Sequence, residues 1–189
     1  MLAEHKLLLD PISLEDADGE AKTVLEKAKA QVGFIPNMYE GMVNSPGLLN
    51  TYLDGYTAFR QGSGFSSIEQ EVVFLTISKV NGCSYCMAAH SFIADMKSKV
   101  PTEVTDAIRD GSEIPDPKLA ALSEFTKTMV VERGLPGKND VEVFVGAGYS
   151  ERQILEIVLA ISVKTLSNYS NHLFHTNVDD VFVGRKWED

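Results

Sequence analysis

The chain has 189 residues, 44% of them apolar and 23% charged. That length and balance suit one soluble domain that buries its core without metal or disulfide staples. Its 17 Lys and Arg against 27 Asp and Glu leave a net charge of −10, which argues against nucleic acid or an anionic membrane as partner.

Almost every segment reads as helix. Ser13, Leu14, Glu15 and Asp16 open a first helix that runs to about Gln31 and stops at Gly33 and Pro36. Shorter helices follow at Asn37–Asn44 and Pro46–Gln61, the second entered through proline at its first position. Ser66 and Glu69 form a capping box for a strongly apolar helix, Ile68 to Val80. Val72, Val73, Phe74, Leu75 and Ile77 leave it little polar face, so it is expected at the centre. Asn81-Gly82 supplies its stop, and the next helix runs from near Cys83 to about Ser98. Beyond Pro101, Asp116-Pro117 opens a helix to Arg133, residues 134–138 are a loop, and Asp140–Ala147 is a short helix. Ser150 and Gln153 form a second capping box ahead of Ile154, Leu155, Ile157, Val158, Leu159 and Ile161. No alternating runs joined by Asn-Gly or Asp-Gly turns indicate strands. The expected fold class is all-α, one domain over residues 1–189.

A shift of 84 residues aligns Ser66 with Ser150, Leu75 with Leu159, Ile77 with Ile161, Ser78 with Ser162 and Tyr85 with Tyr169. The reading is a duplicated antiparallel helical hairpin, the first copy about 66–98 and the second about 150–176. In that register Cys83 and Cys86 lie against Ser167 and Ser170, so only the first copy carries sulfur.

Cys83 and Cys86 are the two cysteines of the chain. Such a pair is too small for a secreted disulfide framework, and in a reducing compartment a CxxC is more often catalytic or metal-binding. The first ten residues have no long apolar stretch before their charges, and no run approaches the roughly 18 apolar residues of a membrane span. A cytoplasmic location is expected. With Asn81-Gly82 ending one helix, Cys83 falls near the N-cap of the next and Cys86 in its first turn, where free N–H groups and the helix dipole favour a thiolate. A thiol of ordinary pKa, about 8.5, is only a few per cent ionised at neutral pH, whereas one near 6–7 is half or more nucleophilic.

His90 follows Cys86 by four residues and shares its helix face, placed to take the thiol proton. Glu71 lies about 16 Å before the bend and His90 about 12 Å after it, at ~1.5 Å per residue, so the carboxylate can orient and stabilise the imidazole. Tyr85 stands between packing and assisting the thiols. His172 reads as a polar residue of the second hairpin, either lining the same cavity or on the surface, and His5 and His175 are given no role. A zinc site made of Cys83, Cys86 and His90, with Glu71 or water as fourth ligand, is the rival reading.

The spacing Glu71, Cys83-x-x-Cys86, His90 resembles that of the AhpD-like alkylhydroperoxidases of the carboxymuconolactone decarboxylase superfamily. Gly33 to Met38, Ser45 to Leu49 and Asn168 to His172 resemble its peroxidase-related branch. The likeness runs over about residues 30 to 180. It implies a helical homo-oligomer, a trimer or hexamer, with peroxidase or disulfide-reductase activity that needs no metal or other cofactor. By position, Cys86 would attack the hydroperoxide, Cys83 would resolve the sulfenic acid into a disulfide, and Glu71 and His90 would relay protons. A lipoyl or thioredoxin-like thiol donor would restore the dithiol. The family prototype has histidine where this chain has Tyr85, and a phenol, with a pKa near 10, cannot shuttle protons at neutral pH. Members without cysteines decarboxylate a lactone instead. Two further classes thus stand beside the peroxidase: a zinc-binding or structural helical oligomer, and a non-redox lyase of the same superfamily.

Overall fold

Capping residues and prolines decide where the helices begin. The computed structural model describes residues 2–188, and among them the chain is helical and without strands. Met1 and Asp189, the ends of the expected 1–189 unit, lie outside the described residues. In chain order the helices are α1 (Gly19–Val32), α2 (Asn37–Met42), α3 (Pro46–Gly62), α4 (Ser67–Val80) and α5 (Ser84–Ile93). There follow α6 (Thr102–Asp110), α7 (Pro117–Val131), α8 (Lys138–Gly146) and α9 (Glu151–Phe174). A π-helical turn, Ala94–Ser98, extends α5, and a 3₁₀ segment, Asp180–Arg185, follows α9. Among the described residues no helix is long and apolar enough to cross a membrane.

The expected centre is the observed one. From Glu69 to Ser78 every residue of α4 is buried, because α5, α6, α7 and α9 pack around it. A helix enclosed on all sides has no polar stripe to show, which is why its sequence is apolar throughout. Both halves of its capping box form: Glu69 N–H donates to Ser66 Oγ, and Ser66 N–H to Glu69 Oε2 at 2.8 Å. Its other end closes in a Schellman motif. Cys83 N–H reaches back to Ser78 O at 2.9 Å and Gly82 N–H to Lys79 O at 3.0 Å. Gly82 takes φ +63°, a left-handed conformation that glycine adopts without a Cβ penalty. This turn reverses the chain and starts α5 with Cys83 as its N-cap residue.

Two expectations are corrected. Helix α1 begins at Gly19, not Ser13: the Ser13 hydroxyl accepts from Asp16 N–H and closes a single turn, after which Asp18 is extended, at φ −127° and ψ 173°. The second hairpin, expected over about 150–176, is the single helix α9. Where the first copy has Asn81-Gly82, the 84-residue register puts Thr165-Leu166, and neither residue stops a helix. Helix α6 has no counterpart among the expected elements.

Helix α9 runs past α3, α4 and α5, with Gly55 at its meeting with α3. A Cβ at that glycine would lie 2.8 Å from Val163 Cγ2. The C-terminal segment then crosses α5. Arg109 of α6 holds it, donating to Arg185 O and Lys186 O, while Trp187 Nε1 donates to Arg109 O.

Candidate active site

Glu71 on α4 and His90 on α5 meet across the hairpin at the depth their spacing implies. His90 Nδ1 lies 2.8 Å from Glu71 Oε2, with both side chains buried. The other carboxylate oxygen is paired at 2.5 Å with Arg60 Nη2 from α3 and accepts at 3.4 Å from Ser98 Oγ of the π-helical turn. Burial alone would raise the Glu71 pKa, but the His90 hydrogen bond and the Arg60 charge outweigh it and hold it below the ordinary value. An ionised carboxylate only accepts hydrogen bonds, so Nδ1 is the protonated nitrogen of His90 and Nε2 carries the lone pair. Burial, with the nearby positive charge of Lys164, keeps His90 less basic than usual, which leaves a neutral imidazole at neutral pH.

Cys83 and Cys86 are free thiols, 1% and 2% exposed. One amide serves both: Asn171 Nδ2 of α9 lies 3.7 Å from Cys83 Sγ and 3.4 Å from Cys86 Sγ. Ser167 Oγ, one turn earlier, is 3.9 Å from Cys86 Sγ. The two sulfurs are driven apart in acidity. Burial pushes the Cys86 thiol up, yet the hydrogen bond from Cys83 and the charge of Lys164 overcome it and bring it well below the ordinary thiol value. Burial and that same hydrogen bond push Cys83 well above it. The first proton to leave the pair is therefore that of Cys86, while Cys83 keeps its own.

Lys164 supplies the positive charge for this. It lies mid-helix on α9, is fully buried, and its Nζ has no oxygen or nitrogen hydrogen-bond partner among the described residues. The ammonium sits 5.6 Å from the Phe74 ring centroid. Cys86, His90 and Lys164 line one pocket of about 190 Å³, whose walls include Tyr39, Tyr52 and Tyr56.

Among the expected residues, Glu71, Cys83, Cys86 and His90 come together. Tyr85 adjoins them but gives its hydroxyl to Asp179 Oδ2, while its ring meets Phe182 edge-on. Burial and that carboxylate raise the phenol pKa further. His172 flanks Cys83 in a second pocket, and His175 Nε2 is bonded to Ala3 O at 2.8 Å. Among the described residues no three or more His, Cys, Asp or Glu side chains converge as metal ligands. Arg60, Lys164, Asn171 and Asp179 were not among the expected site residues. A visible signal existed for Lys164, one charge inside the apolar run Ile157 to Leu166, and for Ser167, placed opposite Cys83 by the internal register.

No protein-family model matches the sequence, and no curated protein does. Solved structures do match. The chain is similar to a peroxidase-related protein from Ralstonia eutropha JMP134, described as an alkylhydroperoxidase AhpD core. The TM-score is 0.80 and the identity 20%, over 95% of this chain and 97% of that one. A peroxidase-related protein from Silicibacter sp. TM1040 matches with TM-score 0.75 and 20% identity over 97% of both chains. The debrominase Bmp8, in a cysteine-to-alanine form bound to 2,3,4-tribromopyrrole, matches with TM-score 0.76 and 17% identity over 95% of this chain and 96% of that one. The chain thus has the AhpD-like helical fold.

Replacing Lys164 with Met keeps the side-chain length and removes the charge. Alkylation of Cys86 followed across pH should then have its midpoint at higher pH than in the wild type. The rate at neutral pH should fall by roughly tenfold for each unit of that displacement. A profile that superimposes on the wild type would remove Lys164 from this account.

Proposed function

We propose that this chain is an AhpD-like thiol peroxidase that reduces hydroperoxides through a Cys86–Cys83 dithiol/disulfide cycle. The observation that supports it most is the division of the two buried sulfurs into a stabilised thiolate and a retained thiol under one Asn171 amide. With Cys86 ionised and His90 neutral beforehand, the proton needed by the leaving group reaches His90 Nε2 from solvent, and Glu71 stabilises the imidazolium so formed. The thiolate attacks the terminal peroxide oxygen, the S–O bond forms as the O–O bond breaks, and the alkoxide leaves as alcohol with the His90 proton. Because His90 is a weakened base, its imidazolium is the stronger acid for that transfer. The Cys83 thiol then attacks the sulfenic sulfur, its proton leaving with the hydroxide as water. One hydroperoxide, one thiolate, one thiol and one proton become alcohol, water and a disulfide.

The walls of the Cys86 pocket indicate a substrate with apolar bulk. Tyr39, Tyr52 and Tyr56 form an aromatic lining with a thiolate and an ammonium at one place. The likeness to a debrominase favours one second reading, removal of bromine from an aromatic ring by the same dithiol. There a carbon–bromine bond is replaced by carbon–hydrogen as bromide leaves and the disulfide forms.

In a dithiol-supported assay the wild type should consume organic hydroperoxide, and Cys86→Ser should abolish turnover. Cys83→Ser should stop after one equivalent with Cys86 as trappable sulfenic acid. Fully reduced protein that consumes no hydroperoxide with any reductant, but releases bromide from 2,3,4-tribromopyrrole, would replace the peroxidase with the second reading.

Assembly into a homo-oligomer belongs to the same proposal. Exposed Leu155, Val158, Tyr169 and Leu173 along α9 support association of copies. Sedimentation should give a multiple of the 20.7 kDa chain mass, and a single-chain species at micromolar concentration would contradict it.

A further inference from the structure

We propose that the two cysteines are served through separate pockets, and that His172 is the base that activates an incoming thiol for attack on Cys83 in the disulfide state. This rests on the dithiol cycle above and assigns its reductive half. Cys86 lines the pocket that holds His90 and Lys164, whereas Cys83 does not. Cys83 lines a different pocket of about 320 Å³, with Ser84, Asn171, His172 and Trp187, from which Cys86 is absent. Tyr85 borders both. Its hydroxyl is anchored on Asp179 and its ring on Phe182, so it is a fixed partition between the two spaces. With Cys83 only 1% exposed, a reducing thiol has to enter the pocket. A small thiol, or one carried on a slender arm, fits that opening.

His172 has the equipment for this task. Its ring stacks on Tyr169 with centroids 6.1 Å apart, and Nε2 is buried without a hydrogen-bond partner among the described residues. An unpaired buried nitrogen costs free energy unless a ligand satisfies it. Burial keeps this histidine less basic than usual, so at neutral pH it is an uncharged imidazole able to accept a proton.

The direction of attack follows from leaving-group chemistry. In thiol–disulfide exchange the sulfur with the more stable thiolate leaves faster, and here that sulfur is Cys86. His172 Nε2 takes the proton of the incoming thiol, whose sulfur bonds to Cys83 Sγ. The Cys83–Cys86 bond breaks and its electron pair stays on Cys86, beside Lys164 and Asn171. The second thiol of a dithiol reductant then loses its proton to solvent and attacks the sulfur bound to Cys83. That step closes the reductant's own disulfide and releases Cys83, which recovers a proton from His172. Two electrons pass from reductant to enzyme.

The test separates the two half-reactions. Wild type and His172→Gln are each oxidised with one equivalent of hydroperoxide and then mixed with dithiothreitol, and both steps are timed. His172→Gln should slow return of the thiols at neutral pH by about tenfold or more, while oxidation by hydroperoxide stays within about twofold of the wild type. A brief exposure of the oxidised wild type to 2-mercaptoethanol, quenched with acid, should leave the adduct on Cys83 when located by fragmentation mass spectrometry. An adduct on Cys86, an unchanged reduction rate, or equal slowing of both steps would overturn the assignment. Failure of the underlying cycle looks different: the wild type would then form no disulfide with hydroperoxide.

Discussion

A buried ammonium beside a buried sulfur organises this molecule. Lys164 is fully enclosed and its Nζ has no oxygen or nitrogen hydrogen-bond partner among the described residues, a state that is costly for any ion without a counter-charge. The nearest carboxylate of the cluster is already committed, since Glu71 is paired with Arg60 and hydrogen-bonded to His90. The remaining group able to carry negative charge next to Lys164 is Cys86, and its ionised form is the favoured one. Charge balance in the core thus runs in two pairs, Arg60 with Glu71 and Lys164 with Cys86. His90 stands between them as a neutral imidazole, one nitrogen tied to Glu71 and the other available.

The fold serves that balance by bringing three helices to one point. The Schellman turn at Asn81-Gly82 fixes Cys83 at the start of α5, which sets Cys86 one turn in and His90 another turn beyond. Helix α9 crosses this hairpin without a break, so Lys164, Ser167 and Asn171, at spacings of three and four residues, present one face to the sulfurs. Tyr85 gives its hydroxyl to Asp179 and borders both the space before Cys86 and the space before Cys83. A histidine at that position would be an additional proton carrier, whereas burial and Asp179 hold the Tyr85 phenol above its ordinary pKa.

Much of the hairpin was legible because it is local. The capping box at Ser66 and Glu69, the stop at Gly82 and a rise of about 1.5 Å per residue suffice to place Glu71 opposite His90. The apolar run of α4 likewise announced its central position. What escaped is tertiary. Arg60, Lys164 and Asp179 reach the site from segments far away in sequence, and no spacing rule relates them to Cys86. The internal register was informative in one respect and misleading in another. It set Ser167 against Cys83, and that region of α9 does face the sulfurs, but it also implied a bend where Thr165-Leu166 continue the helix. The start of α1 was missed because a serine that caps one turn looks the same in sequence as a serine that caps a helix.

The central claim, a core lysine that keeps one sulfur ionised and leaves its neighbour protonated, is tested most directly by titrating the reduced wild type through its ultraviolet thiolate absorbance. The account predicts two well-separated steps. One sulfur is already ionised at neutral pH, and this step is lost in Cys86→Ser; the other ionises only in strongly alkaline solution. Two sulfurs titrating together in the ordinary thiol range, near 8.5, would contradict it.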